Sequence, residues 1–318
     1  MNILNMIILE LNNYCSIRNI VKFILSNKYH NYNIDIFHNS LSISQKILYN
    51  KKLQNMIKLD CENEKIQSVN HLQKLKELCC IKNSQINQKG IAKLTKIISL
   101  NCDYNNEICN INHMINIKNL DCRFTTRFGQ TGIKKLVKII NFNCSSTRDI
   151  KNINYMQNLK KLYCSRSNIN QNGINKLKNL IILRCDSNEH IQDINHMKNL
   201  KKLTCKSSCK INENGIKNLT KIIELDCSYN IKIYDINHMK NLKKLICVGY
   251  DSALDQNGII KLTKITKLSC CFNKKIIDFR NLKKLKKLNA DHLDVEYLVD
   301  TIEDILHEEY FNNISLLL

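Results

Sequence analysis

A tripeptide of the form Leu-x-Cys recurs along most of this 318-residue chain at nearly regular intervals, with Phe142 once in place of leucine. Eleven copies end in cysteine, and a twelfth, at residues 288–290, ends in alanine. Successive copies are 19 to 23 residues apart. A repeat this short cannot enclose a core of its own, so each one must bury its apolar side against its neighbours. The eleven cysteines are Cys61, Cys80, Cys102, Cys122, Cys144, Cys164, Cys185, Cys205, Cys227, Cys247 and Cys270.

The repeats come in two alternating forms, so the structural unit is a pair of repeats about 42 residues long. One form carries an Asn-His-Met segment, as at residues 112–114, and the other carries a Gly-Ile pair, as at residues 132–133. Five of the seven glycines hold this one position, which indicates a place where the backbone turns or packs closely. They are Gly90, Gly132, Gly173, Gly215 and Gly258.

An apolar residue stands three positions before each copy, and the full pattern L-x-x-L-x-(L/C)-x-x-N resembles the leucine-rich repeat signature. The pattern predicts an α/β leucine-rich repeat solenoid over residues 51–292, with about twelve repeats of 19–23 residues and a parallel concave sheet. Each repeat is expected to supply one short strand and a return segment of helix, 3₁₀ helix or loop. The asparagines are expected to form a ladder that satisfies backbone groups of neighbouring turns. They are Asn83, Asn105, Asn188, Asn230 and Asn273.

The eleven repeat cysteines take an inward position where leucine is usual, which predicts buried thiols that act as small hydrophobic groups. We expect no disulfides between neighbouring copies, because parallel strands hold their β-carbons about 4.8 Å apart and a disulfide needs about 3.8 Å. Cys79 and Cys271 adjoin repeat cysteines and are expected on the concave face. Cys205 and Cys209 are spaced C-x-x-x-C, but no second pair completes a zinc site. We therefore predict no metal and no cofactor.

The recurrent histidines His71, His113, His196 and His238 do not indicate a catalytic or metal site. Copies of this type lie two repeats apart, a separation of about 10 Å that is too large for one metal to be shared. We expect them on the convex surface, near the start of each return segment. The chain contains no recognisable Ser/His/Asp or Cys/His pairing and no glycine-rich phosphate loop. We predict that it is not an enzyme.

The formal net charge of +21 raises the question of nucleic-acid binding, which depends on where the charge lies. Strand geometry assigns eleven basic and nine acidic residues to the concave face, so most of the excess lies on the return side. Aromatic residues interleaved with both signs of charge favour a protein partner over nucleic acid, for which only the outer basic face is left. The predicted partner-binding residues are Asp103, Tyr104, Asp121, Phe124, Tyr163, Arg184, Glu224, Asp226, Tyr229 and Phe272.

No apolar run approaches the roughly 18 residues of a membrane span. The first ten residues lack a basic region and a small-residue cleavage site, so they do not read as a secretory signal. Sixteen cysteines without a secretory signal favour a reducing compartment. We therefore expect an intracellular, cytoplasmic protein, in the host cytoplasm if the chain is viral, with no membrane partner.

Residues 1–50 differ in kind and read as a helical module, with Ser16 as a candidate N-cap. Residues 3 to about 30 resemble a divergent F-box, the helical module that docks substrate receptors on the Skp1 subunit of SCF-type ubiquitin ligases. The usual opening Leu-Pro is Ile3-Leu4 here, and the terminal tryptophan is absent. The resemblance implies a Skp1-binding set made of Ile7, Ile8, Leu11, Ile17, Ile20 and Val21.

The other end of the chain is acidic. From Asp291 to Leu318 there are eight acidic residues and no lysine or arginine. Apolar residues fall on one helical face between Asp294 and about Tyr310, which predicts that residues 293–318 form an acidic capping helix. An open solenoid needs such caps at its ends.

An F-box followed by leucine-rich repeats is the order found in substrate receptors, and the chain is similar to such proteins of low-GC protists and of large DNA viruses of amoebae. This resemblance implies a non-catalytic receptor that recruits a Skp1-like adaptor and holds a target for ubiquitin transfer. The alternative is a plain leucine-rich scaffold or inhibitor that binds a protein with no ubiquitin connection. In that case residues 1–50 are only a cap.

Overall fold

The structure is a computed structural model that describes residues 35–36, 54–61, 66–82 and 85–291. It divides into two compact units, Met1–Ile139 and Ile140–Leu318. Both units are built from the same repeat, a strand of three residues followed by a return segment with little regular structure. The predicted leucine-rich repeat solenoid is confirmed.

Thirteen short strands form in the described ranges, and the strands of each unit pair side by side in chain order. In the first unit β1 to β5 pair in this way. In the second unit β6 to β13 do so. Every one of these pairs is parallel and in register, so equivalent residues of successive repeats stand side by side. The strands are β1 (Asp35–Ile36), β2 (Lys58–Asp60), β3 (Glu77–Cys79), β4 (Ser99–Asn101), β5 (Asn119–Asp121), β6 (Asn141–Asn143), β7 (Lys161–Tyr163), β8 (Ile182–Arg184), β9 (Lys202–Thr204), β10 (Glu224–Asp226), β11 (Lys244–Ile246), β12 (Lys267–Ser269) and β13 (Lys287–Asn289).

The Leu-x-Cys tripeptide places its leucine at the centre of the strand and its cysteine just after the strand. Leu225 is 1% exposed and Cys227 is 1% exposed, while Asp226 between them faces the other side and is half-buried. All eleven repeat cysteines are buried, as predicted, and we call them the ladder cysteines. Seven of their thiols donate to backbone carbonyls of the next repeat, as Cys102 Sγ does to Asp121 O at 3.4 Å. Burial of the central leucine of a strand contributes about 1.5–3 kcal/mol to the free energy of folding.

The return segments contain single helical turns. In the described residues these are helix α1 (Gln88–Ile91), helix α2 (Glu213–Ile216) and 3₁₀ turns at Gln130–Gly132 and Gln171–Gly173. Asn87 caps α1, because its side chain accepts from the backbone N–H groups of the first turn.

The repeated glycine lets each return segment pack on the backbone of the repeat before it. A β-carbon on Gly90 would lie 2.1 Å from the carbonyl oxygen of Gln67, and one on Gly215 would lie 1.9 Å from that of Gln192. No larger residue fits at such a distance. The predicted close packing at this glycine is confirmed.

The asparagine ladder is present and is completed by hydroxyl residues. Asn188 Nδ2 donates to the carbonyls of Cys164 and Ile169 in the preceding repeat, at 3.2 Å in each case. Where asparagine is missing, Thr125 and Thr147 donate to the carbonyl of their own ladder cysteine at 2.7 and 2.6 Å. Backbone carbonyls that burial would leave unpaired are satisfied in this way.

Several predictions fall outside the described residues. Apart from Asp35–Ile36, which form β1, these are the helical module of residues 1–50 with its Skp1-binding set, the capping helix of residues 293–318, and Asn83 of the ladder. None of the helices within the described ranges is long and apolar enough to cross a membrane.

Candidate interaction surface

One side of each strand is free of the core, and we call it the strand face. It carries the first and third residues of each strand, the residue after each ladder cysteine, and the next residue, which we call the exit residue. The sequence predicts these positions for the concave face, and the structure places them on one side of the sheet. Side chains of neighbouring repeats therefore form files across the strands.

The exit residues share a left-handed backbone conformation. Nine of them have φ between 51° and 62°, and Gly249 occupies the same position with φ of 120°. Residues other than glycine pay about 1–2 kcal/mol for this conformation. The nine are Lys82, Tyr104, Phe124, Ser146, Arg166, Ser187, Ser207, Tyr229 and Phe272.

Hydrogen bonds to the next repeat accompany this conformation. The N–H of Tyr104 donates to the carbonyl of Arg123 at 3.0 Å, and that of Tyr229 donates to the carbonyl of Val248 at 2.8 Å. At Phe272 the acceptor is instead the carboxylate of Asp291, at 2.9 Å. The left-handed turn thus aims the backbone N–H at the neighbouring repeat and the side chain at solvent.

In each unit the exit residues of successive repeats form one file, which we call the exit file. In the first unit this file contains an aromatic pair. The rings of Tyr104 and Phe124 stack with centroids 4.5 Å apart and planes within 8° of parallel. Both side chains are exposed, at 46% and 40%. Lys82 Nζ lies 5.8 Å from the Tyr104 ring centroid. Two flat apolar surfaces next to a cation are typical of a contact surface.

A charged cluster of Asp103, Asp121 and Arg123 lies next to this aromatic pair. Asp103 is only 4% exposed, and Arg123 holds it at 2.7 Å while also contacting Asp121 at 3.1 Å. Burial raises the pKa of the Asp103 carboxyl above its usual range, and the Arg123 guanidinium opposes that rise. Sequence analysis predicted Asp103 as a contact residue, whereas its side chain is enclosed. Arg123, at 39% side-chain exposure, is the member that faces solvent, and the predicted set omits it.

In the second unit the strand face forms a shallow depression of about 340 Å³ across β7 to β11. Tyr163 and Arg184 stand at one end, with the guanidinium carbon 5.8 Å from the ring centroid. Glu224 is paired with Lys202 at 2.8 Å. The structure thus brings four predicted contact residues, Tyr163, Arg184, Glu224 and Asp226, into one site with Lys202, which the predicted set omits. Other lining residues are Ile182, Thr204, Lys244 and Ile246.

A second aromatic group follows in the exit file of the same unit. Tyr229 is 47% exposed and Phe272 is 38% exposed. Tyr250, which was not among the predicted residues, is 65% exposed and lies 5.1 Å from Phe272 between ring centroids. Only its position next to Gly249 could have pointed to it, because an insertion lengthens this repeat.

The histidines have a structural position. His113, His196 and His238 each place Nε2 3.0–3.1 Å from a backbone carbonyl of the repeat before. They are partly buried rather than purely surface residues, which refines the prediction of a convex location. Burial lowers the pKa of His238 below its usual value, against the effect of the carbonyl of Ile216.

Two buried thiols approach each other in the second unit. Cys185 Sγ and Cys209 Sγ lie 3.8 Å apart, so Cys209 pairs with a ladder cysteine of the preceding repeat rather than with Cys205. The hydrogen bond between the two sulfurs raises the pKa of Cys185, which burial raises further, and it lowers the pKa of Cys209 against the effect of burial. Within the described ranges no three His, Cys, Asp or Glu side chains are grouped so that they could hold a metal ion.

The fold has clear counterparts among solved structures. An internalin (inlF) from Listeria monocytogenes str. 4b F2365 superposes with a TM-score of 0.64 at 20% identity, over 86% of this chain and 82% of that one. The functional domain of InlJ from Listeria monocytogenes, described as including a cysteine ladder, superposes with a TM-score of 0.60 at 20% identity, over 83% of this chain. The chain spans 64% of that InlJ domain.

A third counterpart is the leucine-rich repeat protein LIC12759 of Leptospira interrogans, with a TM-score of 0.51 at 16% identity over 96% of this chain and 99% of that one. No protein-family model and no curated protein matches the chain. These likenesses show the leucine-rich repeat fold.

Proposed function

We propose that this chain is a non-catalytic protein-interaction scaffold whose strand face holds another polypeptide. The observation that carries the proposal is the depression across β7 to β11. There an aromatic ring, aliphatic side chains and charges of both signs are partly or fully exposed on strands whose other side packs on the core. Function in a repeat fold is set by such side chains, because the scaffold itself is common to many activities.

The composition of this surface supports a protein partner. Protein interfaces use aromatic residues and arginine as anchors, within a rim of mixed polar groups. Tyr163 and Arg184 supply the anchors, and the Lys202–Glu224 pair supplies the rim. In the first unit, Tyr104 and Phe124 offer a second anchor of the same kind. The predicted contact residues keep this role in the proposal, except that Asp103 acts by positioning Arg123.

Affinity purification with quantitative mass spectrometry tests the proposal. The full-length wild type is compared with a variant carrying Tyr163→Ala and Arg184→Ala. A matched control carries Tyr234→Ala and Arg148→Ala, two exposed residues of the return side. We expect a set of partners that wild type and control retain and the strand-face variant loses. Identical partners for all three proteins, or none for any, would contradict the proposal.

We further propose that the partner is a target for ubiquitin transfer and that residues 3–30 recruit a Skp1-like adaptor. The support is the resemblance of Ile7, Ile8 and Leu11 to the first apolar helix of an F-box, placed ahead of the repeats. Capture of purified Skp1 by the full-length chain is compared with capture by a chain lacking residues 1–40. Equal capture by both would remove the ubiquitin role.

The plain scaffold remains the competing proposal, and the same deletion separates the two. If residues 1–50 only cap the solenoid, deletion of residues 1–40 removes most of the cap and exposes the apolar end of the solenoid. The shortened chain then aggregates, and no single partner is lost. Light scattering of the purified deletion variant measures this directly.

A further inference from the structure

Three lysines stand side by side at the start of the last three strands. Lys244, Lys267 and Lys287 are the first residues of β11, β12 and β13, and the strand register pairs each with the next. Neighbouring parallel strands lie about 4.8 Å apart, so three lysine side chains start from the sheet at that spacing. We call Lys244, Lys267 and Lys287 the lysine file.

The lysine file has no acidic partner among the described residues. Three other lysines of the strand face are paired: Lys58 with Glu77 at 2.9 Å, Lys202 with Glu224 at 2.8 Å and Lys206 with Asp226 at 3.6 Å. Glu224 faces Lys244 in the register but gives its carboxylate to Lys202. The near balance of charge over the whole strand face therefore does not hold at β11 to β13. Like charges at this spacing repel, and a bound anionic group relieves that repulsion.

The opposite margin of this surface, at the exits of β10, β11 and β12, is apolar. Tyr229, Tyr250 and Phe272 are exposed there, with the last two rings in contact. Ile246 and Val248 of the same patch are half-buried between the two margins. Contiguous exposed aromatic rings on a rigid surface mark an interaction site more often than scattered ones.

The distance between the lysine file and the aromatic margin indicates how wide the bound partner is. From Lys267 to Cys271, the residue before Phe272, there are four residue steps, or about 13 Å of extended chain. An α-helix with its side chains is about 10–12 Å wide. A single helix laid across the strands therefore reaches both margins at once.

We propose that the strand face of β11 to β13 binds an amphipathic helix of a partner protein, with acidic residues along one edge and apolar residues along the other. The acidic edge lies on the lysine file and the apolar edge on the Tyr229, Tyr250 and Phe272 rings. This proposal rests on the proposed function, because it assigns the chemistry of the partner that the scaffold holds.

Charge placement favours a polypeptide over a single-stranded nucleic acid. Asp291 binds the backbone N–H of Phe272 at 2.9 Å, so a carboxylate stands at the aromatic margin. Asp226 and Glu224 border the patch on the other side. A phosphodiester chain whose bases stack on these rings would pass close to these carboxylates, whereas an acidic helix keeps its charges at the lysine margin.

The experiment selects peptides from a displayed library of random sequences on the full-length protein. Synthetic fluorescein-labelled copies are then titrated against wild type and two variants. One variant carries Lys244→Gln, Lys267→Gln and Lys287→Gln. The matched control carries Lys217→Gln, Lys261→Gln and Lys283→Gln, three exposed lysines of the return side, so both variants lose the same charge. Circular dichroism confirms that each variant is folded.

We expect selected peptides that are enriched in acidic and apolar residues compared with the naive library. Their affinity should fall about tenfold in the lysine-file variant and stay unchanged in the control, as three lost charge pairs predict. Phe272→Ala should also lower the affinity of the protein for these peptides. No acidic enrichment, or equal loss in both triple variants, would overturn the inference. So would a labelled oligouridylate that binds through the lysine file while no acidic peptide is selected.

The outcome is separable from that of the proposed function. Selected peptides that depend on Tyr163 and Arg184 but not on the lysine file leave the scaffold proposal standing and remove this inference. Peptides that depend on neither site contradict both.

Discussion

The ring of Tyr229 lies against the backbone of Gly249, so that a β-carbon on Gly249 would be 2.5 Å from Tyr229 Cδ1. Gly249 also has φ of 120°, a conformation that residues with a side chain rarely adopt. One glycine thereby lets an exit residue of one repeat extend over the next repeat. The aromatic margin formed by Tyr229, Tyr250 and Phe272 depends on this contact.

Gly249→Ala is expected to destabilise the protein by about 1–3 kcal/mol, because the substitution adds a clash to backbone strain. Urea unfolding followed by circular dichroism measures the loss. In a Tyr229→Ala background the clash is absent, and the same substitution should cost less. An equal cost in both backgrounds would show that the ring does not occupy this space.

Arg123→Ala is expected to destabilise the protein by about 1–3 kcal/mol at pH 7, because it leaves the enclosed Asp103 carboxylate without its cation. The loss should be smaller in mild acid, since a protonated Asp103 needs no counterion and its pKa is already raised by burial. Unfolding at several pH values measures the trend. Arg123→Lys, which keeps the charge, serves as the control. A pH-independent loss would contradict the pairing.

Thiol labelling of the native protein should sort the fifteen described cysteines by burial. Cys109 is exposed and should react first, followed by the half-buried Cys79 and Cys271. The twelve buried thiols should react only on unfolding, because the reagent cannot reach them in the folded chain. Burial also raises the pKa of the Cys227 thiol to about 12, and the thiolate is the reactive form. Mass spectrometry of digests after timed alkylation gives the order. Rapid native labelling of Cys227 would contradict the inward ladder.

When local opening of the fold admits an oxidant, Cys185 should be joined to Cys209 before any other buried pair forms, because their sulfurs are already 3.8 Å apart. With diamide as oxidant, the two thiols lose two protons and two electrons, and diamide is reduced to the hydrazine. Mass mapping of digested, oxidised protein identifies the disulfide. Cys205→Ser should leave it intact and Cys209→Ser should abolish it. A dominant Cys205–Cys209 bridge would show that the C-x-x-x-C spacing governs instead.

Acid should weaken the fold partly through His238. Its pKa is lowered in the folded protein from the ordinary 6.5, so the unfolded chain binds more protons between the two values. The stabilising effect of the neutral ring is complete above pH 6.5 and is lost as the pH falls through the folded pKa. His238→Gln should therefore reduce the dependence of stability on pH in that range. An unchanged slope in the variant would contradict this assignment.

The core of this fold could be predicted from the sequence because it repeats. Leu225 and Cys227 recur in phase with their equivalents, and two-residue periodicity alone assigns them to one side of a strand. The repeated Gly215 was interpretable for a similar reason, since so few glycines occur elsewhere. Asn188 was recognisable by its fixed distance from the leucine.

The parts that could not be predicted depend on contacts between repeats. Tyr104 and Phe272 adopt a left-handed backbone without being glycine or asparagine, so no residue type marks the turn. Burial of Asp103 depends on Arg123 of the next repeat. The total charge of the strand face does not reveal the lysine file, because the acidic residues that balance it lie on other strands.

The exit position accepts different residue types, so the side chains of this surface can change without a change of fold. Lysine, tyrosine, phenylalanine, serine and arginine all occupy this position with φ within about ten degrees, because backbone N–H groups and buried leucines, rather than the outward side chains, determine its geometry. Recognition and foldability are thereby encoded by separate residues. A chain of this design can acquire a new binding specificity one codon at a time, and most such changes leave its stability nearly untouched.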